Sequence, residues 1–139
     1  MHLLFIYGTL LSRENEYGLF LKSYSRFVCE GKVEGKLYDI KYYPGAVMDE
    51  KCSSHVFGTV LEINDLNILK VIDDYEGFGS DQTQPNEFIR LLKNIETDQG
   101  EIECWVYEYN LPIDNLKIIE SGNYLEFICK KKSPDNSED

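Results

Sequence analysis

Leu3-Leu4-Phe5-Ile6-Tyr7-Gly8-Thr9-Leu10 is the stretch whose reading decides the fold. Apolar and aromatic residues run straight into a glycine, then a hydroxyl residue, then a segment with helical spacing. Such a run, bounded by a turn signal, reads as a strand buried on both faces that leaves sharply into a turn. Gly8 has no Cβ, so the backbone there can approach a ligand closely. The amides of Gly8, Thr9 and Leu10 then form a set suited to an anion, as successive amides do in nests and at helix starts. Taken alone, a strand-Gly-Thr turn is structural more often than it is a site.

After that turn, residues 14–24 carry apolar side chains at 17, 20, 21 and 24, which predicts a helix with Ser12 as N-cap and Gly18 as a weak point. Phe27 to Asp39 reads as extended, with Gly31 and Gly35 marking bends or bulges. Tyr42-Tyr43-Pro44-Gly45 predicts a type II turn, and Ala46-Val47-Met48 a short strand leaving it. Val56 to Ile63 is a further strand, in which Gly58 signals a bulge or a close approach. Asn64 or Asp65 caps the next helix, with Leu66, Leu69, Ile72 and Tyr75 as its core stripe and Gly77 as its closing glycine.

Phe78 to Asn86 has no periodicity and reads as a mobile loop. Glu87 to Glu96 and Glu101 to Tyr109 form a hairpin around Thr97-Asp98-Gln99-Gly100. In its second strand Ile102, Cys104 and Val106 face one way, and Trp105, Tyr107 and Tyr109 the other. Leu116 to Ile119 and Tyr124 to Ile128 read as short helical pieces around Ser121-Gly122-Asn123. The order predicts an α+β fold of one domain over residues 1–129, its mixed, mostly antiparallel sheet curling into a small β-barrel. The charged segment 130–139 reads as a disordered tail.

A formal net charge of -11 argues against nucleic acid and anionic membranes as partners. Cys29, Cys52, Cys104 and Cys129 form no CxxC pair, and with only His2 and His55 no zinc spacing is present. The opening lacks a charged leader and a cleavage site, so a cytoplasmic chain with free thiols is expected. A nucleophile triad has no support either. Asp73, Asp74 and Glu76 near a helix end ordinarily form a solvated face. Against that, Asp73 and Glu76 share a helix side, and a carboxylate beside Tyr75 and Phe78 would have a raised pKa.

Tyr7-Gly8-Thr9-Leu10, followed much later by Ile72-Asp73-Asp74-Tyr75-Glu76-Gly77, resembles the gamma-glutamylcyclotransferase-like family. Tyr43-Pro44-Gly45-Ala46-Val47, Val56-Phe57-Gly58-Thr59-Val60, Phe88-Ile89-Arg90 and Ile119-Glu120-Ser121-Gly122-Asn123-Tyr124 fit the same pattern along nearly the whole chain. The likeness is greatest to the small bacterial and gamma-glutamylamine branches. The resemblance implies a small barrel with one pocket, no metal and no organic cofactor. It implies an enzyme that releases 5-oxoproline from a small gamma-glutamyl substrate by attack of the substrate's own α-amine. Carried over, Glu76 is the catalytic acid/base; Tyr7, Gly8, Thr9, Leu10 and Tyr109 bind substrate, with Pro44 and Gly45 at the border. Phe88 stands where relatives carry a tyrosine, and the 78–86 loop is a longer link that would serve as a lid or fit a different substrate. Arg90 reads as an ion-pair partner. Two rival readings remain open: a non-catalytic small-ligand-binding protein of the same fold, and a protein-interaction module.

Overall fold

The decisive stretch forms β1 (His2–Ile6), which lies between two partners. It pairs antiparallel with β4 (His55–Ile63) and parallel with β6 (Gly100–Tyr109), where Leu4 stands opposite Trp105. In this computed structural model, which describes residues 2–12 and 15–132, the other strands are β2 (Ser25–Asp39), β3 (Pro44–Met48), β5 (Phe88–Thr97) and β7 (Lys117–Ile118). The order β2-β4-β1-β6-β5 returns to β2 through Lys32 opposite Glu96, which closes a five-stranded barrel. Every pairing but β1–β6 is antiparallel, and β3 and β7 extend the sheet along the far end of β2. The helices are α1 (Glu16–Ser23), α2 (Leu66–Glu76) and α3 (Tyr124–Lys132). The expected α+β barrel is the fold.

Alternation along the strands sorts the core into two parts. Phe5, Cys29, Val33, Val60, Ile95, Cys104 and Val106 pack together between the barrel strands. Leu4, Ile6, Leu61, Ile63 and Tyr107 face outward beneath Leu21 of α1 and Leu69 and Ile72 of α2. Cys104 and Trp105 thus fall on opposite faces, as their positions predict. Gly58 is a close approach: a Cβ there would stand 2.2 Å from the Ile6 carbonyl oxygen and 2.8 Å from the Phe5 ring. The irregularity in β2 falls between Phe27 and Cys29, while Gly31 stays in register opposite Gly58.

Several local expectations are corrected. Asn15, not Ser12, caps α1, its Oδ1 accepting from the amides of Tyr17 and Gly18 at 2.9 Å each. Gly18 is where α1 packs on the preceding turn, since a Cβ would lie 2.8 Å from the carbonyl oxygens of Leu10 and Ser12. The chain reversal is complete before Pro44, because Lys41 takes a φ of +114° and the Ile40 amide donates to Tyr43 O at 3.0 Å. Pro44 and Gly45 therefore already belong to β3, with Pro44 at the first strand position, where a missing amide is tolerated.

Leu66 is exposed, and the buried residues of α2 are Leu69, Ile72 and Asp73. Asp65 caps this helix and Gly77, at φ 77°, ends it in the left-handed conformation as expected. Residues 117 and 118 are strand rather than helix, fixed by the Ile119 amide donating to Leu37 O at 2.7 Å. So short a segment cannot hold a helix by itself. The 78–86 loop, expected to be mobile, is tied together by buried Asn86. Its Oδ1 accepts from the Gly79 amide at 3.1 Å and its Nδ2 donates to Gly79 O at 3.0 Å. Helix α3 continues to Lys132, into the segment read as tail. The helix start expected at Glu14, and the tail beyond residue 132, lie outside the described residues. Among the described residues no helix is long and apolar enough to cross a membrane.

Candidate active site

β1 runs into a 3-10 turn at Thr9–Leu11, whose own bonds go from Leu11 N to Gly8 O at 2.9 Å and from Ser12 N to Thr9 O at 3.0 Å. Those bonds use the amides of Leu11 and Ser12, so the turn itself makes no demand on the amides of Gly8, Thr9 and Leu10. The glycine has a different role from the one its type suggests. A Cβ on Gly8 would lie 2.8 Å from Pro44 Cγ, so its absence makes room for the β3 proline rather than for a ligand. Tyr75, read as core, holds the other side of the turn. Asn15 Nδ2 donates to the Tyr75 hydroxyl at 2.8 Å, and that hydroxyl shares a hydrogen bond with Thr9 Oγ1, also at 2.8 Å. The Tyr75 ring stacks on Tyr17 with centroids 4.5 Å apart.

A cavity of about 150 Å³ opens beside this turn. Tyr7, Gly8, Thr9 and Leu10 form one side, and Glu76, Glu87, Tyr43 and Phe88 are among the residues completing it. Glu76 is the last residue of α2, and Gly77 then turns the chain away. Among the described residues no hydrogen bond reaches the Glu76 carboxyl. Part of the residue stays open on the cavity, yet the carboxyl is crowded by protein, and burial is the first cause of its raised pKa. The charges of Glu87 and then Asp73 add to it, and together they push the group up to about 8.

The remaining groups are fixed by one another. Tyr7 donates its hydroxyl to Tyr107 O at 2.5 Å and accepts from the Ala46 amide at 3.2 Å. Burial, and then the charge of Glu76, push this phenol upward, so it stays neutral. Tyr107 in turn donates to Asp73 Oδ1 at 2.6 Å, and Arg90 holds the same carboxylate. Arg90 lies 4.4 Å from the Trp105 ring centroid, away from the cavity lining. It is the structural partner expected.

Tyr109, expected to bind substrate, is not on the cavity wall. Its ring packs against Gly45, where a Cβ would come within 2.8 Å, and meets Phe88 edge-on at 5.4 Å. Pro44 borders the cavity, whereas Gly45 is not among its lining residues. Glu87 and Tyr43 are polar lining residues that the sequence reading did not assign to the site, as are Tyr75 and Tyr107, read as packing. Tyr43 donates its hydroxyl to Glu87 Oε2. Tyr43 opened the stretch Tyr43-Pro44-Gly45-Ala46-Val47 but read as turn, and Glu87 read as a strand start beside Phe88.

The family described as gamma-glutamyl cyclotransferase, AIG2-like, matches residues 4–126. A Methanocaldococcus jannaschii protein, provisionally named a gamma-glutamylcyclotransferase, is 34% identical over 130 residues, covering 91% of this chain and 98% of its own. The gamma-glutamylcyclotransferase family protein YtfP of Escherichia coli is 28% identical over 124 residues, covering 88% of this chain and 96% of its own. The crystal structure of YkqA from Bacillus subtilis has the same fold, with a TM-score of 0.72 at 24% identity; the match covers 95% of this chain but 42% of YkqA.

Proposed function

The chain belongs to the gamma-glutamyl cyclotransferase, AIG2-like family, and we propose on that footing that it releases 5-oxoproline from a gamma-glutamyl amine or gamma-glutamyl amino acid, with Glu76 as general acid/base. One observation carries this reading. The Glu76 carboxyl opens into the same cavity as the Tyr7-Gly8-Thr9-Leu10 turn, although 65 residues of sequence separate Leu10 from Glu76.

The α-amine nitrogen of the substrate attacks its own γ-carbonyl carbon, the new C–N bond closes a five-membered lactam, and the bond to the leaving nitrogen breaks. Glu76 takes a proton from the attacking α-ammonium and returns it to the leaving nitrogen. The second proton shed by the ring nitrogen also ends on the leaving amine, and the protein is unchanged at the end. Holding the chain curled supplies much of the rate, since well-oriented intramolecular attack is worth roughly 7–11 kcal/mol. A carboxylate at the ordinary glutamate pKa of 4.5 is a weak base for an ammonium. Raised to about 8, Glu76 is far better matched to that proton. The amides of Gly8, Thr9 and Leu10 hold the developing oxyanion or the substrate carboxylate. Tyr7, neutral and bonded at both lone pair and proton, acts as a fixed wall.

The free thiols at Cys29, Cys52, Cys104 and Cys129 agree with work in the cytoplasm. The test is 5-oxoproline release from gamma-glutamyl amino acids, gamma-glutamyl-lysine derivatives and glutathione, comparing wild type with Glu76→Gln. Release by wild type alone supports the reading. No release from any of them, with ligand still protecting wild type against heat, favours a binding protein of the same fold.

A further inference from the structure

The cavity holds a second carboxylate that the proposed chemistry does not use. Glu87 lies just before β5, and its Cβ is 3.9 Å from where a Cβ on Gly77 would stand, so it packs beside the end of α2 that carries Glu76. Both carboxylates line the same small space. Their surroundings differ in one respect. Glu87 Oε2 accepts a hydrogen bond from the Tyr43 phenol, whereas no donor among the described residues reaches Glu76. Two carboxylates that share one small cavity cannot both ionise freely, because each charge raises the cost of the other.

We infer that Glu87 is a positioning residue of this site: anchored by Tyr43 beside the end of α2, it raises the pH at which Glu76 exchanges its proton. Among the other groups around Glu76, Asp73 on the same helix contributes less than Glu87; it is paired with Arg90 from β5 and hydrogen-bonded by Tyr107 from β6. Tyr7 at the end of β1 and Tyr43 ahead of β3 are neutral phenols, both pushed upward by burial before any other cause. Glu87 is thus the other acidic residue among the described lining residues, and no lysine, arginine or histidine is among them.

The inference rests on Glu76 as the proton-handling group, but its titration can be read without turnover. Glu76 is followed by carboxyl 13C NMR across pH 4–10 in wild type, Glu87→Gln and Tyr43→Phe, with Glu76→Gln assigning the signal. Gln keeps the shape and still accepts from Tyr43, so the exchange removes charge alone. The Glu76 midpoint falls by half a pH unit or more in Glu87→Gln, and the pH profile of 5-oxoproline release moves to lower pH with it. An unmoved midpoint in folded Glu87→Gln overturns the inference, because a merely structural Glu87 leaves that titration where it was. Should Glu87→Gln not fold, Tyr43→Phe carries the test on the same terms. A moved midpoint without turnover from any substrate keeps the inference and removes the proposed reaction. Turnover with an unmoved midpoint does the reverse.

Discussion

Arg90 grips Asp73 at two points, Nε to Oδ1 at 2.7 Å and Nη2 to Oδ2 at 3.1 Å, and so ties β5 to α2. Glu76 is three residues beyond Asp73 on α2, and Glu87 three residues before Arg90. The pair therefore fixes the elements that carry both cavity carboxylates. Both side chains are largely buried, at 9% exposure for Asp73 and 18% for Arg90. Removing one partner of such a pair strands the other's charge, which costs about 3–5 kcal/mol. Asp73→Asn should lose stability at the lower end of that range, read from chemical denaturation. Glu62→Gln, which breaks the exposed Arg26–Glu62 pair, should lose less than about 1 kcal/mol.

How much of this was legible in sequence follows from the range of each signal. Strand alternation is local, so the opposed faces of Cys104 and Trp105, and the barrel they imply, were readable. Asp65 and Gly77 announced the ends of α2 because capping needs only a few neighbouring residues. For Tyr109, period two gives a face and not what lies on it: its ring packs on Gly45 and Phe88. Asn15 displaced Ser12 as cap because the 3-10 turn ends at Leu11 and uses the Ser12 amide. Glu87 was invisible because its partner, Tyr43, is 44 residues away.

Stability should depend on Glu76 with an unusual sign. Its folded-state pKa is about 8 against an ordinary 4.5, so between those values the native protein holds a proton that the unfolded chain has released. Unfolding free energy contributed by this group therefore falls as pH rises through that window, and the penalty is complete above about 8. Glu76→Gln removes the dependence. The difference in Tm, variant minus wild type, should grow from pH 5 to pH 9 in thermal melts.

Gly8→Ala should be costly although its backbone is not left-handed. The added methyl meets the Pro44 ring at 2.8 Å, and overpacking of that kind costs about 1–3 kcal/mol. The turn must shift away from β3, so substrate turnover should fall more than tenfold in kcat/KM in a variant that remains folded. Steady-state assays alongside denaturation separate the two effects.

Tyr75→Phe should act on the turn rather than the core. The ring stacking on Tyr17 is kept, while the hydroxyl that joins Asn15 to Thr9 is lost. A stability loss of about 1 kcal/mol is expected for so modest a hydrogen-bond network. KM should rise several-fold, because Thr9 and its neighbours lose their hold on one side, and steady-state kinetics with the best gamma-glutamyl substrate reads this directly.

The most direct measurement of the central claim is 5-oxoproline release by wild type and by Glu76→Gln, both shown to be folded by circular dichroism, on the same gamma-glutamyl panel at pH 8. Release by wild type, falling at least a hundredfold in Glu76→Gln, is the result expected if Glu76 moves the proton. Undiminished release by the variant would contradict that role, and Glu76 would be no more than a buried carboxyl beside the turn.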